Sequence, residues 1–134
     1  MEIITFNSHG FKNITPNDAY KLLLKDAILL DVRNSAYTAF KKFDVPEVLF
    51  CPHNELGNFL QKLPNNRLLI VADSAGLFSK EAMQMLQNNG FSNILNLAGG
   101  IVEWERDGLP VIVDKNERLS GSCMCQLRPR EINK

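Results

Sequence analysis

The sequence has few cysteines, few histidines and no excess of charge of either sign. Three cysteines among 134 residues are an odd number without a secretory signal, which favours a reducing cytoplasm over a disulfide-stapled secreted domain. Fifteen basic and fifteen acidic residues cancel, so overall charge favours neither nucleic acid nor membrane as a partner. No apolar run approaches the ~20 residues that span a bilayer, and residues 1–6 lack the basic-then-apolar pattern of a signal peptide. We therefore expect a cytoplasmic protein.

Apolar residues make up 45% of the chain and charged residues 22%, which is ordinary for a soluble globular domain. The length is sufficient for one domain with its own core. Short apolar runs alternate with segments of helical spacing, and the connections between them are short. This order predicts an α/β fold, in which a mostly parallel sheet of about five strands is covered by helices on both faces.

Strands are predicted where β-branched and apolar residues run together between turn residues. These runs cover residues 3–6, 27–32, 48–51, 67–72 and 94–97.

Helices are predicted where apolar residues recur at helical intervals. The first begins at Thr15-Pro16-Asn17-Asp18, a cap followed by proline at the first helical position. Further helices are expected over residues 35–43, 55–63 and 79–89, the last stopped by Gly90.

The loop between the strand at 67–72 and the helix at 79–89 is the first candidate for a site. Ligands of parallel α/β sheets sit beyond the carboxyl ends of the strands. Backbone N–H groups of such a loop, backed by the positive end of a helix, form a cradle for an anion. We expect this anion-binding loop to comprise Asp73, Ser74, Ala75, Gly76, Leu77, Phe78 and Ser79.

Two motifs carry a resemblance to a known family. The first is Asp31-Val32-Arg33 at a strand end. The second is Gly99-Gly100-Ile101 followed by Trp104 and then Gly108-Leu109-Pro110-Val111. With the order of elements between them, these motifs make residues 14–113 resemble a rhodanese-like domain. The resemblance implies an active loop of the form Cys-x-x-Gly-x-Arg-Ser, which stores sulfur on its cysteine. We expect residues 1–113 to form this domain and residues 114–134 to form a tail.

The active loop matches that pattern only in part. Gly76 and Ser79 fall on family positions, whereas Asp73 stands at the cysteine position and Phe78 at the arginine position. A Gly-His-Ile-Pro-Gly-Ala element usual in the family is replaced by residues 43–47. Sulfur transfer needs a thiolate that forms a persulfide, and a carboxylate cannot form that bond. Asp73 is instead interpreted as an N-cap that accepts loop N–H bonds and stabilises the helix by about 1 kcal/mol.

Other polar side chains are interpreted as structural. His9 and His53 have no spacing that suggests a catalytic triad, which leaves Ser74 and Ser79 without an evident base. We expect both histidines to be surface or turn residues. Asp31 and Arg33 are expected to form an ion pair at the strand end, and Cys51 to be a small buried apolar residue.

The tail carries two thiols, Cys123 and Cys125, one residue apart. Such a pair can bind a soft metal, form a disulfide or accept sulfur from a donor. Two ligands do not complete a zinc site. Thirteen residues separate Pro110 from Cys123, an extended reach of up to ~43 Å, which is enough to bring a tail thiol to the Asp73 loop.

The sequence thus supports three hypotheses. The first is a binding or regulatory module with a rhodanese-like fold and no sulfurtransferase activity in the usual loop. The second is a sulfurtransferase or sulfur relay that uses Cys123 or Cys125, and the third is soft-metal binding by that pair. No cofactor is expected. The expected partner is a protein or a small sulfur compound, and the expected state is a monomer or weak homodimer.

Overall fold

The computed structural model describes residues 5–8, 10–64, 66–76, 78–113 and 126–129. Strands form where β-branched and apolar residues are concentrated. The described strands are β1 (Thr5–Ser8), β2 (Phe11–Ile14), β3 (Ile28–Asp31), β4 (Lys41–Phe43), β5 (Glu47–Phe50), β6 (Leu69–Ala72), β7 (Ile94–Leu97), β8 (Val111–Val113) and β9 (Gln126–Pro129).

Four α-helices and two short 3₁₀ segments connect the described strands. The helices are α1 (Pro16–Leu23), α2 (Ser35–Phe40), α3 (Phe78–Asn88) and α4 (Gly100–Arg106). The 3₁₀ segments are His53–Asn58 and Leu60–Lys62. No helix within the described residues is long and apolar enough to cross a bilayer.

The larger sheet has the strand order β1-β2-β7-β6-β3-β5-β9. The five strands from β2 to β5 in this order run parallel, while β1 pairs antiparallel with β2 and β9 pairs antiparallel with β5. A second sheet pairs β4 with β8. The α/β fold with a mostly parallel central sheet is therefore confirmed, and an antiparallel strand borders the five parallel strands on each side.

The core lies on both faces of the central sheet. Alternate residues of one strand point to opposite faces, so Leu29 and Ile70 join the cluster beneath α1 and α4, while Leu30 and Val71 join the cluster beneath α3. Trp104 is fully buried in the first cluster, where its ring meets those of Tyr20 and Phe43 edge-on. Helices therefore cover both faces, as the sequence pattern predicts.

Two of the predicted helices are wrong in part. The helix expected over residues 35–43 ends at Phe40, because residues 41–43 pair with β8 to form the second sheet. The segment expected as a helix over residues 55–63 forms the two 3₁₀ turns instead. The expected strand at residues 3–6 is described from Thr5 to Ser8, and the following strand β2 was not predicted.

Within the expected tail, Gln126–Pro129 forms strand β9 against the edge strand β5. The register pairs Glu47 with Pro129 and Phe50 with Gln126. This pairing covers a sheet edge whose backbone N–H and C=O groups need partners.

Candidate functional site

The candidate loop leaves β6 at Asp73 and enters α3 at Phe78. It lies at the carboxyl end of a central parallel strand, where α/β sheets hold their ligands. Gly76 has φ +100°, a backbone conformation that glycine adopts readily and other residues rarely do. Ser74 and Gly76 are half-buried and Ala75 is exposed, whereas Leu77 lies outside the described residues.

The side chain of Asp73 fills the cradle of N–H groups that this loop forms. Its Oδ1 accepts a hydrogen bond from the N–H of Gly76 at 2.5 Å, and its Oδ2 accepts from those of Phe78 and Ser79 at 2.6 and 3.0 Å. The residue is 1% exposed. Asp73 thus caps α3 and places its own carboxylate where the loop offers positive charge to an anion.

The first turn of α4 is hydrogen-bonded to the backbone of the loop. Ile101 N–H donates to the carbonyl oxygen of Asp73 at 2.9 Å, and Val102 N–H donates to that of Ser74 at 3.1 Å. These two bonds satisfy N–H groups that would otherwise be unpaired at the start of the helix. The loop backbone is therefore fixed by the paired-glycine segment about thirty residues further along the chain.

Arg33, at the end of the neighbouring strand β3, is committed to an internal ion pair. Its Nε and Nη2 bond Asp31 Oδ1 and Oδ2 at 2.9 and 2.7 Å, and Nη2 also donates to the carbonyl oxygen of Lys41 at 2.7 Å. Both side chains are buried. The expected structural pair is present, and its two-bond geometry gives the guanidinium a counter-charge within the chain.

A cavity of about 210 Å³ opens beside the loop. We call it the Arg33 cavity. Its lining residues are Arg33, Asn34, Tyr37, Pro52, His53, Asn54, Ser74 and Phe78.

Aromatic rings dominate the exposed part of the Arg33 cavity. The rings of His53 and Phe78 stack with centroids 4.1 Å apart and planes within 10°. Tyr37 and Phe78 are 61% and 47% exposed, and His53 Nδ1 lies 3.6 Å from a carboxylate oxygen of Glu81. The cavity therefore offers flat apolar rings, with its arginine already paired.

His53 begins a 3₁₀ segment and is half-buried, in keeping with the expected surface or turn residue, but its place in the Arg33 cavity was not predicted. Its backbone N–H bonds the carbonyl oxygen of Val32 at 3.0 Å, which holds the residue beside the candidate loop. The available signal was its position after β5, because the carboxyl ends of parallel strands meet at one edge of the sheet. Ser79 is fully buried, and its hydroxyl has no hydrogen-bond partner among the described residues.

Of the three cysteines, Cys51 lies within the described residues. Cys51 is disulfide-bonded, so the interpretation of this residue as only a small buried apolar side chain is incomplete. Cys123, Cys125 and His9 lie outside the described residues, and the relay and soft-metal hypotheses stay predictions. The described residues contain no group of three or more His, Cys, Asp or Glu side chains that could hold a metal ion.

The sequence profile of the rhodanese-like domain family matches residues 15–107, which include the loop, the Asp31–Arg33 pair and the paired glycines. The chain belongs to this family. A thiosulfate sulfurtransferase GlpE from Actinobacillus pleuropneumoniae is 32% identical over 106 residues, covering 78% of this chain and 95% of the relative. A sulfurtransferase from Allochromatium vinosum is 31% identical over 88 residues, covering 66% of this chain and 80% of the relative.

Solved structures of rhodanese-like proteins share the fold. A rhodanese-related protein from Thermoplasma volcanium superposes with a TM-score of 0.69 at 27% identity, covering 76% of this chain and 98% of that one. A rhodanese-like domain protein from Staphylococcus aureus gives a TM-score of 0.62 at 21% identity, covering 81% and 97%. The rhodanese-like frame of this chain is thus supported by sequence and by structure.

Proposed function

We propose that this rhodanese-like domain has no thiosulfate sulfurtransferase activity at its 73–79 loop and acts as a binding or regulatory module. The observation that carries the proposal is that the carboxylate of Asp73 occupies the cradle of N–H groups in this loop. The N–H groups of Gly76, Phe78 and Ser79 all donate to the carboxylate of Asp73. A loop whose N–H groups are used internally has none of these three left to stabilise a thiolate or bind an anionic donor.

The chemistry of position 73 supports the same conclusion. By resemblance, Asp73 occupies the position of the family's sulfur-carrying cysteine. A carboxylate does not form the sulfur–sulfur bond of a persulfide. Its negative charge also repels thiosulfate, which is a dianion, and that repulsion acts in a buried site where screening by water is weak.

The Arg33 cavity supports a binding role. Its guanidinium is held by Asp31, and Phe78 stands at the position where the family pattern has arginine. The exposed rings of Tyr37 and Phe78 and the half-buried ring of His53 suit a side chain of a protein partner better than a small dianion, because flat rings gain from burying apolar area. We place this binding in the cytoplasm, as the cysteine usage predicts.

Thiocyanate formation from thiosulfate and cyanide tests the proposal. The wild-type protein should give no more product than the Cys51→Ser/Cys123→Ser/Cys125→Ser variant, which has no thiol. Circular dichroism of both proteins checks that each is folded. Turnover by the wild type well above that of the thiol-free variant would contradict the proposal.

A sulfur relay through the tail is the second candidate function. It is favoured by the pairing of Gln126 with Phe50, since this contact brings the residue after Cys125 to the sheet edge. Incubation with a low-molecular-weight persulfide should then add sulfur to Cys123 or Cys125, measured by intact mass and peptide mapping. The absence of an adduct, or an adduct on Cys51 alone, would reject the relay.

A further inference from the structure

Two exposed aromatic side chains, Tyr37 and Phe78, line the Arg33 cavity. The ring of His53 stacks on that of Phe78 with planes within 10°, and this contact holds the Phe78 ring in place. The faces of aromatic rings carry partial negative charge, and they attract a cation that lies within about 6 Å of the ring centre. The cavity therefore has two aromatic surfaces that favour a cationic ligand.

The buried charges beside the cavity leave an excess of negative charge. The guanidinium of Arg33 is paired with the carboxylate of Asp31, so these two charges cancel. The carboxylate of Asp73 accepts hydrogen bonds from backbone N–H groups at the start of α3. A helix N-terminus is equivalent to roughly half a positive charge, so part of the negative charge of Asp73 remains.

Glu81 adds an exposed carboxylate next to the cavity. Its side chain is 71% exposed, and its Oε1 lies 3.6 Å from Nδ1 of His53, which lines the cavity. Three carboxylates, those of Asp31, Asp73 and Glu81, stand against the one guanidinium of Arg33. Their formal charge is negative whether His53 is neutral or protonated, so the charge around the cavity is complementary to a cation.

We propose that the Arg33 cavity binds an arginine side chain of a partner protein. The inference rests on the binding role proposed above and names the group that is bound. The guanidinium of the ligand stacks on the rings of Tyr37 and Phe78. Its N–H groups donate to the carboxylate of Glu81.

Arginine suits this cavity better than lysine does. A guanidinium is planar, is more weakly hydrated than an ammonium group and stacks on aromatic faces. Its fork of N–H donors matches the two oxygens of a carboxylate, which Glu81 supplies. The methylene groups of an arginine side chain also bury apolar area against the rings. An ammonium group on a flexible stem has neither the flat face nor the fork.

Two peptides test the inference on the unaltered protein. Acetyl-Gly-Arg-Gly-amide is titrated into the isotope-labelled full chain and followed by NMR. Acetyl-Gly-citrulline-Gly-amide is the control, because its side chain has nearly the same shape and no charge. The arginine peptide should shift the amide signals of residues that line the cavity, and it should bind about tenfold more tightly than the citrulline peptide.

Two substitutions examine the ring and the carboxylate separately. Phe78→Leu removes the aromatic face and keeps an apolar side chain. Its control is Phe40→Leu, because Phe40 is similarly exposed on α2 and is not a lining residue of the cavity. Glu81→Gln removes the carboxylate, and Asp26→Asn is its control, because Asp26 precedes the opposite end of β3. Phe78→Leu and Glu81→Gln should each weaken binding of the arginine peptide about threefold, whereas the controls should bind it like the wild type.

Four outcomes would overturn the inference. They are no binding of the arginine peptide, equal affinity for the citrulline peptide, tighter binding of acetyl-Gly-Lys-Gly-amide, and equal losses in Phe78→Leu and Phe40→Leu. The thiocyanate assay is read separately. If the arginine peptide does not bind and the wild type forms no thiocyanate above the thiol-free variant, only the inference fails. Thiocyanate turnover above that variant would overturn the proposed function, whatever the peptides do.

Discussion

The backbone carbonyl oxygen of Asp73 lies where a side chain on Gly100 would be. A Cβ built on Gly100 would sit 2.4 Å from this oxygen and 2.5 Å from that of Ser74, well inside van der Waals contact. The paired-glycine motif that characterises the end of the domain is therefore in direct contact with the candidate loop. Its second glycine allows α4 to approach closely enough for Ile101 to bond Asp73.

This contact predicts that Gly100→Ala lowers the free energy of unfolding strongly. Gly108→Ala is the matched control, because Gly108 also has positive φ (+79°) but has open space around its Cβ position. The control should lose about 1–2 kcal/mol of unfolding free energy from backbone strain alone. Gly100→Ala should lose about 1–3 kcal/mol more, because the added methyl group overlaps the loop backbone. Equal losses in urea denaturation would refute the close approach.

Removal of the Asp73 carboxylate should destabilise the loop and α3. Asp73→Ala leaves three N–H groups without their acceptor, and we expect a loss of about 2–4 kcal/mol from unsatisfied buried donors. Asn34→Ala is the comparison, since Asn34 caps α2 with one hydrogen bond, to Ala36 N–H at 2.8 Å on the exposed surface. That variant should lose about 1 kcal/mol. A smaller loss for Asp73→Ala than for Asn34→Ala would be inconsistent with the occupied cradle.

The buried Asp31–Arg33 pair should contribute far more to the free energy of unfolding than a surface pair does. Asp31→Asn leaves the guanidinium buried without its counter-charge, which typically costs about 3–5 kcal/mol. Glu105→Gln removes the partner of Lys41 at the surface, a 2.6 Å contact, and exposed pairs are worth roughly 0–1 kcal/mol. Thermal and urea unfolding of both variants measure the difference. Similar stabilities would mean that Arg33 does not rely on Asp31.

Much of the frame could be predicted from local sequence. The buried strand β6 is a continuous apolar run, and β3 and β7 each contain a single polar residue. Helix α3 ends two residues before its predicted stop, Gly90. The strands that were not predicted form because of pairing with distant parts of the chain. Lys41–Phe43 becomes a strand because Val111–Val113 is its partner, and β9 depends on the distant edge of β5. Neither partner is visible in a local window of sequence.

The role of Asp73 in the candidate loop could be predicted from the sequence, whereas the residues that surround the loop could not. The N-cap role of Asp73 follows from an acidic residue between a strand and a helix, and the three N–H bonds agree with it. The stacking of His53 on Phe78 is different, because it brings together two residues that are 25 positions apart in the sequence. The disulfide of Cys51 likewise has no local signature in the sequence.

The most direct test of the occupied loop introduces a cysteine at position 73. In a background with Cys51→Ser, Cys123→Ser and Cys125→Ser, the protein that keeps Asp73 is compared with the Asp73→Cys variant after incubation with thiosulfate. Intact mass should show one added sulfur atom only on the Asp73→Cys variant, and only that variant should form thiocyanate from cyanide. Sulfur transfer by the folded protein that keeps Asp73, at a rate equal to that of the Asp73→Cys variant, would contradict the account.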